Sequence, residues 1–125
     1  MSENFERLSA TPAGVRLGPL DAIKDGLARN FVLEIGSGRF PGRFHGFVVR
    51  KGSDVFGYVD LCPHRHLPLA RKLDGYLTAD SLLISCSWHG ALFSVTDGVC
   101  VGGPCKGERL TTWPVAVIDG AIVTA

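Results

Sequence analysis

The sequence lacks long apolar runs, basic runs and an excess of charge of either sign. No apolar stretch approaches the roughly 20 residues that a membrane-spanning helix requires. The 13 Lys and Arg residues against 12 Asp and Glu residues leave a formal net charge of +1, which argues against a nucleic-acid-binding protein. The N-terminal stretch MSENFERLSATPAG has neither the apolar core of a secretory signal nor the paired arginines of a twin-arginine signal. We therefore expect a soluble cytoplasmic protein.

Cysteine and histidine are also scarce, with four residues of each type. A chain of 125 residues is long enough to bury a core without disulfides, and a reducing compartment disfavours them. Cys62 and Cys86 each have a histidine close by in the chain, whereas Cys100 and Cys105 have none. We interpret the first two as a ligand pair and the other two as buried or free thiols, with a disulfide between them as the less favoured alternative.

Short apolar or alternating runs predict an all-β protein that forms one domain over residues 1–125. The runs are rich in Val, Ile and Phe and are separated by Gly, Pro and Asp or Ser clusters, which is typical of short strands. An Asp119-Gly120 pair between the last two runs predicts a two-residue hairpin turn. The predicted strands are residues 31–35, 44–49, 55–59, 82–84, 91–95, 115–118 and 121–124.

Only residues 19–29 show a helical pattern, and the pattern is weak. Leu20, Ile23 and Leu27 fall on one helical stripe after a proline that suits a first turn. Gly26 weakens the helix from within. A short turn or loop is an equally good interpretation of this segment.

Two Cys-His pairs are the most informative feature of the chain: Cys62 with His64, and Cys86 with His89. Two thiolates and two imidazoles can hold one metal centre. The spacing alone leaves zinc and an iron–sulfur cluster of mixed ligation open. In the usual zinc finger the two Cys lie on one strand and the two His on a helix, whereas each pair here mixes the types, which favours a binuclear cluster.

The segments that carry these pairs, residues 62–75 and 86–105, are rich in Gly and Pro and are predicted to be loops. The boxes CPHRHLPL at 62–69 and CSWHGALFSVTDG at 86–98 resemble those of the Rieske [2Fe–2S] proteins. The stretch VCVGGPC at 99–105 is similar to the third, proline-bearing loop of that family. The resemblance spans most of the chain.

The resemblance implies a [2Fe–2S] cluster in which Cys62 and Cys86 bind one iron and His64 and His89 bind the other. It implies a Rieske-type antiparallel β-sandwich or barrel of two or three small sheets. A cluster-binding subdomain of two loops, about residues 60–105, would stand at its tip, and Pro104 would cover the cluster from a third side.

Two departures from the respiratory branch of the family bear on function. The cysteines that tie the loops together in that branch are replaced by the stretch Arg65-His66-Leu67 and by Trp88. Ala91 and Phe93 stand where that branch has a serine and a tyrosine whose hydroxyls bond the cluster sulfurs. Because such hydrogen bonds stabilise the reduced cluster, we expect a potential towards the low end of the Rieske range.

The resemblance therefore implies an electron carrier between a flavoprotein reductase and a terminal oxygenase such as a ring-hydroxylating dioxygenase, and not an enzyme by itself. Two alternatives remain at this point: the small Rieske subunit of a nitrite-reductase-like enzyme, and a structural zinc-binding module. His66 and His45 are interpreted as histidines without a metal. Four cationic residues near the boxes are candidates for steering an acidic partner, although solvated surface is the favoured interpretation: Arg65, Arg71, Lys72 and Lys106.

Overall fold

The structure is a computed structural model, and it describes residues 6–8, 11–35, 42–61, 75–78, 80, 82–86, 90–103 and 107–125. For residues 6–8 it describes the backbone alone. Ten strands lie in these ranges: β1 (Glu6–Leu8), β2 (Arg16–Pro19), β3 (Ala28–Ile35), β4 (Gly42–Lys51), β5 (Asp54–Val59), β6 (Leu83–Ser85), β7 (Leu92–Ser94), β8 (Cys100–Gly102), β9 (Val115–Ile118) and β10 (Ala121–Thr124).

The strands form three sheets within the described residues. In the central sheet, β4 pairs antiparallel with β3 along one edge, while β5 and the parallel strand β1 pair with its other edge. The second sheet has the order β2-β10-β9 and the third has the order β6-β7-β8, both antiparallel. The third sheet carries Cys86 directly after β6, and we call it the ligand-bearing sheet.

Side chains alternate along β4, and this strand has buried side chains on both faces of the central sheet. On one face, Phe44 packs against Trp113 with ring centroids 4.6 Å apart, in a cluster that includes Ile122 of the second sheet. On the other face, Phe47 belongs to a cluster with Phe93 of the ligand-bearing sheet. The central sheet therefore lies between the other two, and a slip of one residue in β4 would exchange its two faces.

The segment before β9 joins the central and second sheets. Val59 donates its backbone N–H to the carbonyl oxygen of Thr111 at 2.9 Å, and Trp113 donates to that of Gly57 at 2.8 Å. The Trp113 indole N–H also donates to the hydroxyl of Thr11 at 2.9 Å. A buried indole needs such a partner, so this large side chain is fixed at both its apolar and its polar end.

The predicted all-β class is confirmed, and the seven predicted strands are present, five with shifted ends and two, 115–118 and 121–124, with the predicted ends. The predicted hairpin is confirmed as well. Ala121 pairs with Ile118, and the two turn residues between them have positive φ, 51° at Asp119 and 76° at Gly120. Positive φ at both positions matches the twist of a two-residue hairpin.

The helical interpretation of residues 19–29 is wrong. One 3₁₀ turn, Leu20–Ala22, follows β2, and β3 already begins at Ala28. Gly26 has a φ of +82°, which no right-handed helix contains. The backbone of β3 instead pairs with β4 over its full length, because that pairing satisfies polar groups that a short isolated helix would leave to water.

Three strands were not predicted: β1, β2 and β8. The last of these corrects the interpretation of residues 96–105, after the predicted strand 91–95, as loop-like, since Cys100–Gly102 pairs with β7. A strand of three residues is too short to show a repeating pattern in sequence. Across the described ranges, no helix has the length and apolar character needed to cross a membrane.

Candidate metal centre

Cys86 lies at the point where β6 ends and the second Cys-His segment begins. Its side chain is 1% exposed, and its sulfur is in no disulfide. Its backbone N–H donates to the carbonyl oxygen of Ala91 at 2.8 Å, and the N–H of Gly90 donates to the Cys86 carbonyl oxygen at 3.0 Å. These two bonds close the β6–β7 connection and hold the Cys86 backbone in place.

A third segment packs directly against this connection. Gly103 has a φ of +85°, and a Cβ at this position would lie 2.8 Å from the Ala91 Cα and 2.9 Å from the Gly90 carbonyl oxygen. Only glycine allows so close an approach of two backbones. The end of β8 therefore lies beside the second Cys-His segment. Pro104, which was expected to cover the cluster from a third side, is outside the described residues.

The first Cys-His segment is anchored at both ends by buried polar side chains. Asp60 and Tyr76 are 5% and 2% exposed, and the Tyr76 hydroxyl donates to Oδ2 of Asp60 at 2.8 Å. Asn30 of β3 donates from Nδ2 to the Tyr76 hydroxyl oxygen at 2.7 Å. A side-chain hydrogen bond thus joins the residue before this segment to the residue after it.

Residues 76–78 run alongside β6 and connect the two Cys-His segments. Ser85 donates its backbone N–H to the Tyr76 carbonyl oxygen at 2.8 Å, and Thr78 donates to that of Leu83 at 2.9 Å. Leu77 and Ile84 form the bridge between these two bonds. The end of the first segment is therefore paired with the strand that leads into Cys86.

A second buried tyrosine connects the central sheet to the ligand-bearing sheet. The Tyr58 hydroxyl donates to the carbonyl oxygen of Val95 at 2.6 Å. Burial, with a smaller contribution from the negative charge of Asp97 and partial compensation by Arg109, raises the pKa of Tyr58 from 10.0 to about 12. The phenol consequently stays protonated and keeps donating at physiological pH.

Of the four predicted ligands, the structure describes Cys86, while Cys62, His64 and His89 lie outside the described residues. No group of three or more Cys, His, Asp or Glu side chains that could hold a metal occurs in the described ranges. The side chains that replace the two hydroxyl residues of the respiratory branch, Ala91 and Phe93, are both fully buried.

Of the other residues singled out in the sequence, some are described by the structure and others are not. His45 lies in β4, where its carbonyl oxygen accepts the backbone N–H of Asp60 at 2.9 Å. The described residues do not include the four cationic candidates, His66, Trp88 or Cys105. Their interpretation stays a prediction.

Cys100 requires a correction. It is buried, as expected, but it is disulfide-bonded and not a free thiol, with its partner outside the described residues. The expectation rested on the redox state of a compartment, whereas disulfide formation also depends on how closely two cysteines are brought together. A disulfide-bonded sulfur cannot serve as a thiolate ligand, whereas the sulfur of Cys86 is in no disulfide and can form a thiolate.

The described part of the site fits a thiolate-ligated group. A cluster ligand must be a cysteine sulfur free of any disulfide, and Cys86 meets that condition on a backbone held by two hydrogen bonds. Asn30, Asp60 and Tyr76 were not identified in the sequence. The one available signal was Asp60, a carboxylate at the end of the apolar run Val55–Val59.

A small all-β protein in which a buried cysteine outside any disulfide begins a Cys-His segment fits the class of metal-binding proteins. The model of the family described as the Rieske [2Fe-2S] domain matches residues 38–116, and the chain belongs to this family. The family assignment confirms the predicted cofactor, a [2Fe–2S] cluster.

Two similar proteins are ferredoxins of dioxygenase systems. The chain is 28% identical over 104 residues to the anthranilate 1,2-dioxygenase ferredoxin subunit of Burkholderia cepacia, which covers 83% of this chain and 86% of that protein. It is 26% identical to the ferredoxin of carbazole 1,9a-dioxygenase from Nocardioides aromaticivorans IC177, with a TM-score of 0.67 over 91% of this chain and 98% of that one.

A protein described as the small subunit of an NADPH nitrite reductase has a similar structure. It is 18% identical, with a TM-score of 0.60 over 91% of this chain and 99% of that one. A likeness at this level of identity shows the shared fold alone.

Proposed function

We propose that this chain is a Rieske-type ferredoxin that carries single electrons from a flavoprotein reductase to an oxygenase-type partner, such as a ring-hydroxylating dioxygenase. The observation that carries the proposal is the match over almost the whole length of a dioxygenase-system ferredoxin. The chain itself performs no bond chemistry.

We assign Cys62 and Cys86 to one iron and His64 and His89 to the other. A cluster bound in this way supplies a one-electron redox step. The protein holds the ligands: Cys86 is fixed by the bonds to Ala91 and Gly90, and the buried surroundings restrict water. Neutral imidazoles keep the site less negative than four thiolates would, which eases acceptance of an electron.

The buried alanine and phenylalanine at positions 91 and 93 support a low potential within the Rieske range of roughly −150 to +300 mV. Neither side chain can donate a hydrogen bond, so an added electron is stabilised less than in the respiratory branch. A low potential suits a donor to an oxygenase better than a quinol oxidase.

The experiment is to purify the protein without oxygen and measure iron, acid-labile sulfide and zinc, with visible and electron paramagnetic resonance spectra after reduction. Two irons and two sulfides with a mixed-ligand spectrum support the proposal. A colourless protein loaded with zinc would overturn it in favour of the structural zinc module.

Delivery is tested separately by mixing the chemically reduced protein with a dioxygenase terminal oxygenase and its aromatic substrate in a single turnover. Product formed in proportion to the carrier supports the assigned partner. Stable co-purification with a large nitrite reductase subunit, and no product with the oxygenase, would instead favour the second function. That candidate rests on the shared fold.

We retain two broader expectations within this proposal. The chain functions as one domain whose cluster-binding part is about residues 60–105, and it acts in the cytoplasm. Cell fractionation tests the location, and a single cooperative unfolding transition tests the domain organisation.

A further inference from the structure

We propose that Asp60 and Tyr76 are positioning residues that clasp the two ends of the first ligand segment and hold it against the strand leading into Cys86. The inference rests on the proposed function, because it concerns the loops that carry the assigned ligands. We call the hydrogen bond between these two side chains the clasp.

The clasp is a hydrogen bond between two residues that are distant in the chain. Its two residues are 16 positions apart, and their side chains meet at 2.8 Å in a buried environment. Joining the ends of such a segment restricts the conformations open to everything between them. Because both assigned ligands Cys62 and His64 lie in this interval, the clasp limits where they can be placed.

Each half of the clasp is itself fixed to the central sheet. The backbone N–H of Asp60 donates to the carbonyl oxygen of His45 at 2.9 Å. The Tyr76 ring stacks on Phe47, with ring centroids 4.1 Å apart and planes inclined by 7°. Both residues of the clasp are therefore anchored on the central sheet.

Asn30 sets the direction of the hydrogen bonds. Its Nδ2 donates to the Tyr76 hydroxyl oxygen at 2.7 Å and lies 3.4 Å from Oδ2 of Asp60. With its oxygen accepting from Asn30, the Tyr76 hydroxyl uses its one proton to donate to the Asp60 carboxylate. A buried carboxylate is costly without donors, and this arrangement supplies them.

The clasp is connected to both assigned thiolates, on one side along the chain and on the other through a backbone hydrogen bond. Asp60 precedes Cys62 by two residues, a span of at most about 7 Å between Cα atoms. On the other side, the Tyr76 carbonyl oxygen accepts the backbone N–H of Ser85, the residue before Cys86. The same two residues are thus connected to the chain just before Cys62 and to the chain just before Cys86.

The acceptor is a carboxylate, although an amide oxygen could accept the same hydrogen bond. A buried negative charge two residues from a ligand disfavours the addition of an electron nearby. We therefore assign two effects to the clasp: the Tyr76 hydroxyl holds the geometry, and the Asp60 charge lowers the reduction potential.

Two substitutions separate these effects. Tyr76→Phe keeps the stacked ring and removes the hydroxyl. We expect cluster loss and amide exchange at Ser85 to accelerate about tenfold or more, because a charge-assisted hydrogen bond is removed. Asp60→Asn keeps an acceptor and removes the charge, so we expect a higher reduction potential with cluster retention close to that of the wild type.

Matched controls exist for both changes. Tyr58→Phe removes another buried hydroxyl that bonds to a carbonyl oxygen outside the first segment, and it should leave Ser85 exchange unchanged in the folded protein. Asp54→Asn makes the same charge change at the exposed start of β5, about 20 Å along the strand from Asp60, and it should leave the potential unchanged.

Exchange at Ser85 and cluster retention equal to wild type in Tyr76→Phe would overturn the positioning role. A potential in Asp60→Asn no higher than in Asp54→Asn would overturn the charge effect. Amide exchange needs no cluster, so it tests the clasp even if metal analysis has already refuted the proposed function.

Discussion

The hydroxyl of Tyr58 donates a 2.6 Å hydrogen bond to the carbonyl oxygen of Val95. The donor belongs to β5 of the central sheet, and the acceptor directly follows β7 of the ligand-bearing sheet. Both residues are buried. One polar contact therefore joins two sheets whose other described contacts in this region are mostly apolar.

Tyr58→Phe should lower the free energy of unfolding by about 1–3 kcal/mol, because the Val95 carbonyl oxygen would remain buried without this donor. Chemical denaturation of the protein and the variant measures the difference. Phe56→Leu, a change to a partly buried neighbour on the same strand, is a control for packing alone. An unchanged transition midpoint for Tyr58→Phe would contradict the prediction.

The same tyrosine predicts a loss of stability at high pH. Burial, and then the charge of Asp97, raise the pKa of Tyr58 to about 12 from an ordinary 10.0. The unfolded chain therefore releases the proton at lower pH than the folded protein does. The contribution is fully present below pH 10 and is lost as pH rises through about 12.

Denaturation of the protein and of Tyr58→Phe across this pH interval tests the argument. The stability difference between them should shrink as pH rises, and tyrosinate absorbance should show a late-titrating group that the variant lacks. A difference that is constant with pH would contradict the assigned pKa.

Gly103→Ala should destabilise the ligand-bearing sheet. The new Cβ would lie 2.8 Å from the Ala91 Cα, so the backbone must shift, at an overpacking cost of about 1–3 kcal/mol. Gly107→Ala is a matched control, since Gly107 also has positive φ, +92°, but has nothing within 4 Å of the added Cβ. Equal losses of stability in the two variants would show that backbone strain alone, and not the close approach, explains the effect.

Cys86→Ser should abolish or strongly reduce cluster content, because the thiolate is replaced by a weaker ligand for iron. His64→Cys and His89→Cys should retain a cluster in part and lower its potential, because each adds negative charge. His66→Ala is the control and should leave iron content and potential unchanged. A rise in potential for either His→Cys variant would contradict the charge argument.

If Arg71 and Lys72 steer docking, Arg71→Gln and Lys72→Gln slow electron delivery to an acidic partner at low ionic strength and have little effect at high salt, because steering is screened. Stopped-flow rates across a salt series provide the measurement. Lys24→Gln, on an exposed residue between β2 and β3, makes the same charge change outside the Cys-His segments. Rates equal to those of this control would remove the two residues from the docking surface.

The strands and the candidate ligands could be predicted from the sequence because their signals lie in neighbouring residues. Alternation of side chains in β4 and β5 is recorded in adjacent residues, as is the Asp119-Gly120 turn. The helical interpretation of residues 19–29 failed because the stripe of apolar residues did not reveal that Gly26 adopts positive φ and that β3 pairs with β4.

The sequence by itself determined the all-β class and the two Cys-His pairs, since both depend on residue type and on short spacings. The nature of the cofactor followed from the resemblance of the two boxes to the Rieske family. Only the tertiary structure decided that Tyr76 bonds to Asp60, that Gly103 lies against Ala91 and that Cys100 is disulfide-bonded. The hydrogen bond and the glycine contact join residues far apart in the chain, and their partners depend on how the sheets pack. No local pattern encodes that packing.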